Sequence, residues 1–567
     1  LFKVSPLAGL TLTRTVALYA ICMVLVVILL VSFIIVVLEQ RRLSSVLEET
    51  ANVDQSTTDH QSKKTRKRAS FRVAMVGLVF SFLIVIWAFW LSSLNSPVRN
   101  RPPFRHADAE GWVEYLRQLT EDNTPVDEGG LLASIASAVI TYPELDVFDQ
   151  ELARVLEEKI KSIADSESKV YTACLFVRQL NGTQYGRYKH VHAALKKLLR
   201  EASQSSLYAC FMAYWYVEDE YMVKEEWRDT MVRQRRLVDI IMGLIADGRL
   251  KGGDDRLLMK AAIIEEIKLV DDPKLTAPHL PPTYLPTNLR TPITGVIPES
   301  TYVFKSAAKP VKLAFRSLYD YEKDTQAVII KSGELGESDW MVSAVIKLME
   351  EIWGRDGGDF AIRRYSVFPV KQYNAVWLEF VPSRTFQSIV DEDVNLYDDF
   401  KRDDAKMKRF VKSCAAYSVI TYVLGIGDRH LDNLMLTDDG TFFHIDFDIK
   451  FMFGRDPKPM PPPLKISWEM VEGMGGLESE AYREFKCYTL KALMGLRTHA
   501  GLLLDFLSLH RSMIGQVELD FVRDRLALDK DDDTAWYILL NLLDESPHAI
   551  IPRMLDWIHS LAQFMRH

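Results

Sequence analysis

The stretch that decides the fold of this chain is Gly425–Phe453, which reads GIGDRHLDNLMLTDDGTFFHIDFDIKFMF. Asp428, His430 and Asn433 fall in one short loop, and Asp446 follows a short predicted strand. Transfer of a phosphoryl group needs metal ligands, a group that accepts the alcohol proton, and cations that neutralise developing charge. Magnesium prefers oxygen ligands in octahedral geometry, so Asn433 and Asp446 are predicted to bind this ion from two sides. The stretch therefore indicates a phosphotransfer site.

The sequence around this stretch predicts two lobes. Short β-type runs precede it and a helix lies among them, whereas helices dominate after Ala405. The predicted elements are strands at Thr301–Phe304, Lys312–Ser317, Ala327–Ile330, Tyr365–Val370 and Ala375–Phe380, and a helix at Asp339–Trp353. A small sheet-containing lobe followed by a larger helical lobe is how kinases hold a nucleotide in the cleft between them. The predicted fold class is α+β, a bilobal kinase fold.

A helical region precedes these lobes. Val147–Ile163, Leu237–Ile245 and Leu257–Leu269 have apolar residues at spacings of three and four, which predicts stacked amphipathic helices. Ser205–Trp227 holds a dense aromatic stripe, and aromatic residues at helical spacing normally pack against neighbours, so a packing role is expected rather than a ligand site. Seven prolines between Asp271 and Glu299 predict an extended linker after the helices.

Composition limits the classes of function. The chain has 567 residues, 48% of them hydrophobic and 26% charged, which is typical of globular protein with several domains. Its formal net charge of −8 provides no basic surface for nucleic acid, so no nucleic-acid partner is expected. The five cysteines form no CxxC pair, which argues against a zinc site or a disulfide framework.

Two apolar, uncharged runs near the N-terminus, Val16–Leu38 and Val73–Leu94, are each long enough to span a bilayer and are predicted to be transmembrane helices. The loop between them carries eight basic residues, against three that follow the second run, which favours a cytosolic loop. That orientation conflicts with a kinase that uses cytosolic ATP. Three explanations stay open: a lumenal loop, a hairpin that enters and returns, or an N-terminal segment wrongly joined to this gene. The chain begins with Leu1 rather than Met, which indicates an incomplete N-terminus.

Three phrases carry a family resemblance: DRHLDNLMLT and HIDF within the deciding stretch, and GRDPKPMPPPLK beginning at Gly454. They resemble the phosphatidylinositol 3-kinase family, and the third looks like its class III, the vacuolar protein sorting lipid kinases. The resemblance implies ATP-dependent phosphorylation of phosphatidylinositol at the 3-hydroxyl, with Mg²⁺ or Mn²⁺, in endosomal trafficking and autophagy. It also implies a regulatory scaffold subunit as partner and an endomembrane location, with the kinase domain facing the cytosol.

The same resemblance implies roles for individual residues. Ser306 would lie in the loop that covers the phosphates, Lys331 would contact phosphate, and Asp339 would hold this region. Glu379 and Val381 would offer backbone groups to adenine. The remaining residues are Tyr365, which would line the purine pocket, His430 and Asp428, either of which could accept the inositol hydroxyl proton, and Arg455, Lys458 and Lys465, which would contact the lipid phosphodiester.

The predicted organisation is a membrane-anchor region at 1–106, a helical domain at 107–270, a linker at 271–299, an N-lobe at 300–381, and a C-lobe with a C-terminal amphipathic helix at 382–567. Two alternatives to the lipid kinase stay open. One is a catalytically impaired, membrane-anchored scaffold of the same fold, and the other is a related Ser/Thr protein kinase. Asp448 bears on the first alternative, because it stands where the family carries a glycine.

Overall fold

The structure is a computed structural model that describes residues 111, 127–182, 186–269, 283–306, 308–318, 325–455, 464 and 466–545. The predicted spans at 16–38 and 73–94 lie outside this part of the chain. None of the helices formed by the described residues is both long and apolar enough to cross a membrane.

A helical domain comes first, as the sequence predicted. Its described residues form seven α-helices: α1 (Glu128–Thr141), α2 (Asp149–Lys159), α3 (Glu167–Gly182), α4 (Lys189–Ser203), α5 (Leu207–Met212), α6 (Glu225–Gly252) and α7 (Arg256–Leu269). The amphipathic helix α4 buries an apolar stripe, in which Val191, Leu195, Leu198 and Leu199 face the core. The helix predicted at 147–163 is shorter, because Pro143–Phe148 forms a separate 3₁₀ turn before it.

The N-lobe is built on a six-stranded antiparallel sheet. Its strands are β1 (Thr283–Leu285), β2 (Asn288–Val303), β3 (Val311–Ser317), β4 (Thr325–Ser332), β5 (Val367–Val370) and β6 (Ala375–Glu379). They lie in the order β1-β2-β3-β4-β6-β5. Helix α8 (Glu337–Arg355) follows β4 and buries Met341, Val345 and Ile352. The strands and the helix predicted between 301 and 380 are therefore present.

The segment predicted as linker at 271–299 differs from that expectation. Residues 271–282 lie outside the described part, but β1 and most of β2 fall within the predicted linker, so the sheet begins before residue 300. The prolines are tolerated at irregular positions: Pro298 lies in the register shift between Ile297 and Tyr302. Prolines exclude helix but allow a strand at such irregularities, and the linker interpretation missed this.

The C-lobe is mainly helical. Its helices are α9 (Phe386–Asp391), α10 (Leu396–Phe400), α11 (Asp404–Leu424), α12 (Trp468–Gly473), α13 (Glu480–Thr498), α14 (Ala500–Ser508), α15 (Gln516–Arg525) and α16 (Asp532–Glu545). A small antiparallel sheet of β7 (Arg384–Thr385), β8 (Leu434–Leu436) and β9 (Phe442–His444) carries the deciding stretch. Helix α16 buries Ala535, Leu539 and Leu543 on one face, and residues 546–567 lie outside the described part.

The aromatic stripe packs the helical domain against the N-lobe. The ring centroids of Phe211 and Phe368 are 5.6 Å apart, and those of Tyr216 and Trp340 are 4.6 Å apart. This confirms the packing role predicted for the stripe. A cavity of about 830 Å³ lies beside it, lined by these rings together with residues of α3, α8 and the turn after α14, and none of its lining residues belongs to the deciding stretch.

Candidate active site

Lys331 lies near the end of β4, opposite Val376 of β6, with its side chain largely buried. Its Nζ is 3.0 Å from Asp446 Oδ1 and 3.4 Å from Glu334 Oε1. Burial alone would lower the pKa of Lys331, but Asp446, Asp339 and Glu334 outweigh it and raise the pKa above the ordinary value. Lys331 is therefore a fixed cation that connects the N-lobe to the C-lobe.

Asp339 is a buried carboxylate in the first turn of α8. It accepts hydrogen bonds from the Tyr365 hydroxyl and from the backbone N–H of Phe447, the latter at 3.2 Å. Burial raises its pKa to about 6, although Lys331 and these hydrogen bonds oppose the shift. Because Phe447 directly follows Asp446, Asp339 fixes the backbone beside the predicted metal ligand. This placement agrees with the expectation that Asp339 holds the region.

The two predicted metal ligands lie just outside two paired strands of the small sheet, Asn433 before β8 and Asp446 after β9. Leu434, which follows Asn433, pairs with His444, two residues before Asp446, and the N–H of Ile445 donates to the carbonyl of Asn433 at 3.2 Å. The side-chain amide N–H of Asn433 donates to the Asp428 carbonyl at 2.9 Å. The strand pairing therefore brings the loop Asp428–Asn433, called the catalytic loop below, close to Asp446. That Asn433 and Asp446 bind one metal ion stays a prediction.

Two aspartates of the site have strained backbones. Asp428 has φ +51° and Asp446 has φ +61°, in the left-handed region that residues with a Cβ seldom adopt. Such strain persists where the surrounding structure holds it, and it is concentrated at functional sites. Both positions belong to the residues that the sequence singled out for chemistry.

Arg429 holds the backbone of both motifs, and sequence reasoning gave it no role. Its guanidinium donates to the carbonyls of Gly427 at 2.9 Å, Ile445 at 2.7 Å and Asp446 at 2.6 Å. It also lies over the Phe447 ring, 5.3 Å from the centroid. The signal that could have found it is an arginine between two candidate catalytic residues, where a planar donor with several N–H groups can join two loops.

The predicted adenine-contacting residues lie where β6 ends. The Glu379 N–H donates to Ser366 O at 2.9 Å, and its carboxylate binds Arg363 at 2.7 Å. Within the described part of the chain the N–H of Val381 has no hydrogen-bond partner, which leaves a donor for a ligand. Tyr365 is more deeply placed, with its ring parallel to that of Phe447 at 6.4 Å, so its contribution to the purine pocket stays a prediction.

The remaining predicted residues are more scattered. Ser306 is exposed in the loop between β2 and β3, where its carbonyl accepts the Lys309 N–H. Arg455 binds Glu518 Oε1 at 2.6 Å and the Met513 carbonyl at 3.0 Å. These bonds favour an anchoring role for Arg455 over a lipid contact. Lys458 and Lys465 lie outside the described residues. His430 Nδ1 is 3.7 Å from Asp432 Oδ2 in the catalytic loop.

Asp448, which stands at the family's glycine position, caps a short 3₁₀ turn. Its carboxylate accepts the Lys450 N–H at 2.9 Å, and its φ of −110° needs no glycine. The Asp448 carboxylate is therefore hydrogen-bonded to the backbone two residues after it. Glu337, a second acid in this region, is the first residue of α8, where the helix dipole stabilises a negative charge.

The donor set fits a magnesium ion bound together with nucleotide. In the described part of the chain no group of three or more His, Cys, Asp or Glu side chains could hold a metal. Magnesium at nucleotide sites commonly uses one or two protein oxygens and takes its other ligands from phosphate and water. One carboxylate, Asp446, and one amide oxygen, Asn433, meet this requirement.

Comparison with known proteins agrees with the geometry. A model of the phosphatidylinositol 3- and 4-kinase family matches residues 393–519. The root isoform of phosphatidylinositol 3-kinase from Glycine max is 30% identical over 470 residues, covering 74% of this chain and 56% of the relative. The phosphatidylinositol 3-kinase VPS34 of Arabidopsis thaliana is 37% identical over 311 residues, covering 50% of this chain and 37% of the relative.

A relative from Caenorhabditis elegans, the phosphatidylinositol 3-kinase catalytic subunit type 3, is 27% identical over 492 residues, covering 79% of this chain and 52% of the relative. This chain thus spans about half or less of the length of these curated relatives. The family match contains the catalytic loop, the HIDF segment that carries Asp446 (the metal motif), and Arg429, which the structure brings together. The chain therefore belongs to the phosphatidylinositol 3-kinase family and is class III-like.

Proposed function

We propose that this chain transfers the γ-phosphoryl group of ATP to the 3-hydroxyl of phosphatidylinositol. The observation that carries the proposal is the 3.0 Å contact between Lys331 Nζ and Asp446 Oδ1, which joins a phosphate-binding cation of the N-lobe to a metal-ligating carboxylate of the C-lobe. The choice of lipid and of hydroxyl rests on the names of the relatives, phosphatidylinositol 3-kinases from plants, yeasts and a nematode.

The residues of the site divide the work of phosphoryl transfer. Lys331 would move from Asp446 to phosphate oxygens and neutralise their charge as a point cation. Asn433 and Asp446 would hold magnesium or manganese, which supplies charge neutralisation across the phosphates when it is bound. Arg429 would keep the two loops in register. Val381 would donate its N–H to the adenine base.

The acceptor side needs a group near the inositol hydroxyl that can take its proton. Asp428 and His430 lie in the same loop as Asn433, whose side-chain amide donates to the Asp428 carbonyl and holds the strained backbone there. Either side chain is suited to the task. The pH profiles of kcat for an Asp428→Asn and a His430→Gln variant would separate them. General base catalysis of this kind typically contributes about 10²–10⁴-fold in rate.

The cellular setting is proposed from the resemblance of the sequence motifs to the family. An endomembrane location with the kinase domain facing the cytosol, a role in endosomal trafficking and autophagy, and a regulatory scaffold subunit form part of the proposal. Lys458 and Lys465, with the proline-rich segment between them, remain the candidate contacts to the lipid phosphodiester.

The test is a lipid kinase assay with purified full chain, ATP, Mg²⁺ or Mn²⁺, and liposomes that contain phosphatidylinositol. Formation of phosphatidylinositol 3-phosphate supports the proposal. Nucleotide binding without lipid product would instead support the impaired scaffold, and product on added peptides alone would support a protein kinase. Omission of the metal is the matched control, because the donor set needs it.

A further inference from the structure

A turn of the helical domain contacts the loop between β2 and β3, the predicted phosphate-covering loop. Arg249, in the last turn of α6, donates through Nη2 to the carbonyls of Ala308 at 3.1 Å and Lys309 at 3.0 Å. In return, Lys309 Nζ lies 3.1 Å from Asp254 Oδ1, in the turn that joins α6 to α7. The loop and the helical turn are therefore joined by contacts in both directions.

Lys309 is the strained residue of this loop. Its φ is +46°, and it precedes Pro310, which further restricts its backbone. Its N–H donates to the carbonyl of Ser306 at 2.9 Å, so the left-handed conformation closes the turn that contains Ser306. A non-glycine residue keeps such a conformation only where its surroundings hold it, and the contacts of Arg249 and Asp254 do so here.

Arg249 is suited to this role by its shape and by its partial burial. The planar guanidinium can donate to two neighbouring carbonyls from one nitrogen, which a lysine ammonium does with less directional precision. Burial lowers its pKa below the ordinary value, although it stays a cation. Helices α6 and α7 form a helical pair, and a second arginine of this pair, Arg256 in α7, donates to the Val303 carbonyl at the end of β2, at 3.2 Å. The helical pair thus contacts both ends of the loop.

We propose that Arg249 is a positioning residue for nucleotide binding: with Asp254, it holds the strained turn at Lys309 and so fixes the loop that would cover the phosphates of ATP. The affinity for ATP then depends on the α6–α7 turn of the helical domain. The inference rests on the proposed role of this loop in nucleotide binding.

The test measures nucleotide affinity in the full chain. Arg249→Met should raise the Kd for trinitrophenyl-ATP with Mg²⁺, and the KM for ATP, by about 5- to 20-fold, while kcat changes by less than about threefold. Lys251→Met is the control, because Lys251 belongs to the same helix and pairs with Glu266 instead of the loop. Lys251→Met should leave the Kd for trinitrophenyl-ATP and the KM for ATP within about twofold of wild type.

Two further variants separate positioning from loss of stability. Asp254→Asn, at an exposed side chain, should raise the Kd by about 2- to 5-fold without lowering the melting temperature. Lys309→Gly removes the cost of the left-handed backbone but also the contact with Asp254, so the double variant Arg249→Met with Lys309→Gly should recover part of the lost affinity. A structural defect at α6 would not be rescued by a glycine in the loop.

The outcomes distinguish the inference from the proposed function. Wild-type chain that binds the analogue but makes no lipid product would overturn the proposed function, and a weakened Arg249→Met would still support the inference. Unchanged nucleotide affinity in folded Arg249→Met and Asp254→Asn would overturn the inference alone. A fall in kcat at constant KM would also overturn it, because a positioning loop for ATP acts on binding.

Discussion

Lys331 Nζ and Asp446 Oδ1 lie 3.0 Å apart across the cleft between the two lobes. Before nucleotide or metal binds, this pair holds the proposed phosphate-binding cation, Lys331, against the proposed metal ligand, Asp446. Nucleotide with its metal would separate them, because each side chain gains a stronger partner of opposite charge. This contact is the basis on which we propose the cleft as the site of phosphoryl transfer.

Removal of the cation should disable the enzyme. We expect Lys331→Met to lower kcat/KM for lipid phosphorylation by at least about 100-fold, which corresponds to about 2.7 kcal/mol of transition-state stabilisation. The measurement is initial rate against ATP concentration. Lys347→Met is the matched control, since Lys347 pairs with Glu350 on the surface of α8 and should change the rate by less than about twofold. Equal rates for both variants would contradict the role of Lys331.

Asp448 should be dispensable for catalysis. Its carboxylate caps the 3₁₀ turn after the metal motif, so Asp448→Gly should cost at most about 1–2 kcal/mol of stability. We expect lipid kinase turnover to be preserved or raised, because the variant restores the family pattern and removes a charge near the metal. A fall in kcat of more than about tenfold at saturating ATP and metal would show that Asp448 has a catalytic role of its own.

Asp339 should make stability depend on pH. Burial raises its pKa to about 6 in the folded chain, above the ordinary 3.8. The folded protein therefore holds this proton more tightly, and the resulting stabilisation is complete below about pH 4 and is lost as the pH rises through about 6. Asp339→Asn keeps the neutral form at all pH values. We expect the melting temperature of the variant, relative to wild type, to increase between about pH 4.5 and 7.

The control for this pH experiment is Asp438→Asn, at an exposed turn position. Its melting temperature relative to wild type should stay constant over the same range. A difference for Asp339→Asn that is flat with pH, or that shrinks as pH rises, would show that burial does not raise the pKa of the Asp339 carboxyl.

Arg429 should affect turnover more than binding. Arg429→Met would leave the carbonyls of Gly427, Ile445 and Asp446 without this donor, and the catalytic loop would lose its register with the metal motif. We expect kcat to fall by about 100-fold and the Kd for trinitrophenyl-ATP to change by less than about threefold. Arg409→Met, which removes a half-exposed arginine of the same lobe that donates to the Asp439 carbonyl outside the site, serves as the control. Equal losses in both variants would contradict a positioning role.

The sequence predicted much of this fold because its strongest signals are local. The catalytic loop, the metal motif and the amphipathic helices depend on spacing within a few residues. The start of the sheet was missed because prolines near Pro298 suggested a linker, whereas a register shift accommodates them. The links from Arg429 to Ile445, and from Asp339 to Phe447, join residues distant in the chain, so no local pattern could predict them.

The contact between Arg249 and Lys309 likewise joins residues distant in the chain. It joins a helix end to a loop in another domain, and neither residue is distinctive in sequence. The strained φ of Lys309 is visible only in three dimensions. Sequence reasoning therefore proposed candidate residues for the chemistry more readily than candidate residues for positioning.

The most direct test of the account is the rate of phosphatidylinositol 3-phosphate formation by wild type and Asp446→Asn, with ATP, Mg²⁺ and phosphatidylinositol liposomes. Asp446 is the one carboxylate in the proposed metal donor set, so the account predicts product from wild type and a loss of at least about 100-fold in the variant, with an unchanged melting temperature. Asp438→Asn should match wild type. Activity of Asp446→Asn within about tenfold of wild type, about 1.4 kcal/mol in the barrier, or no lipid product from wild type, would contradict the account.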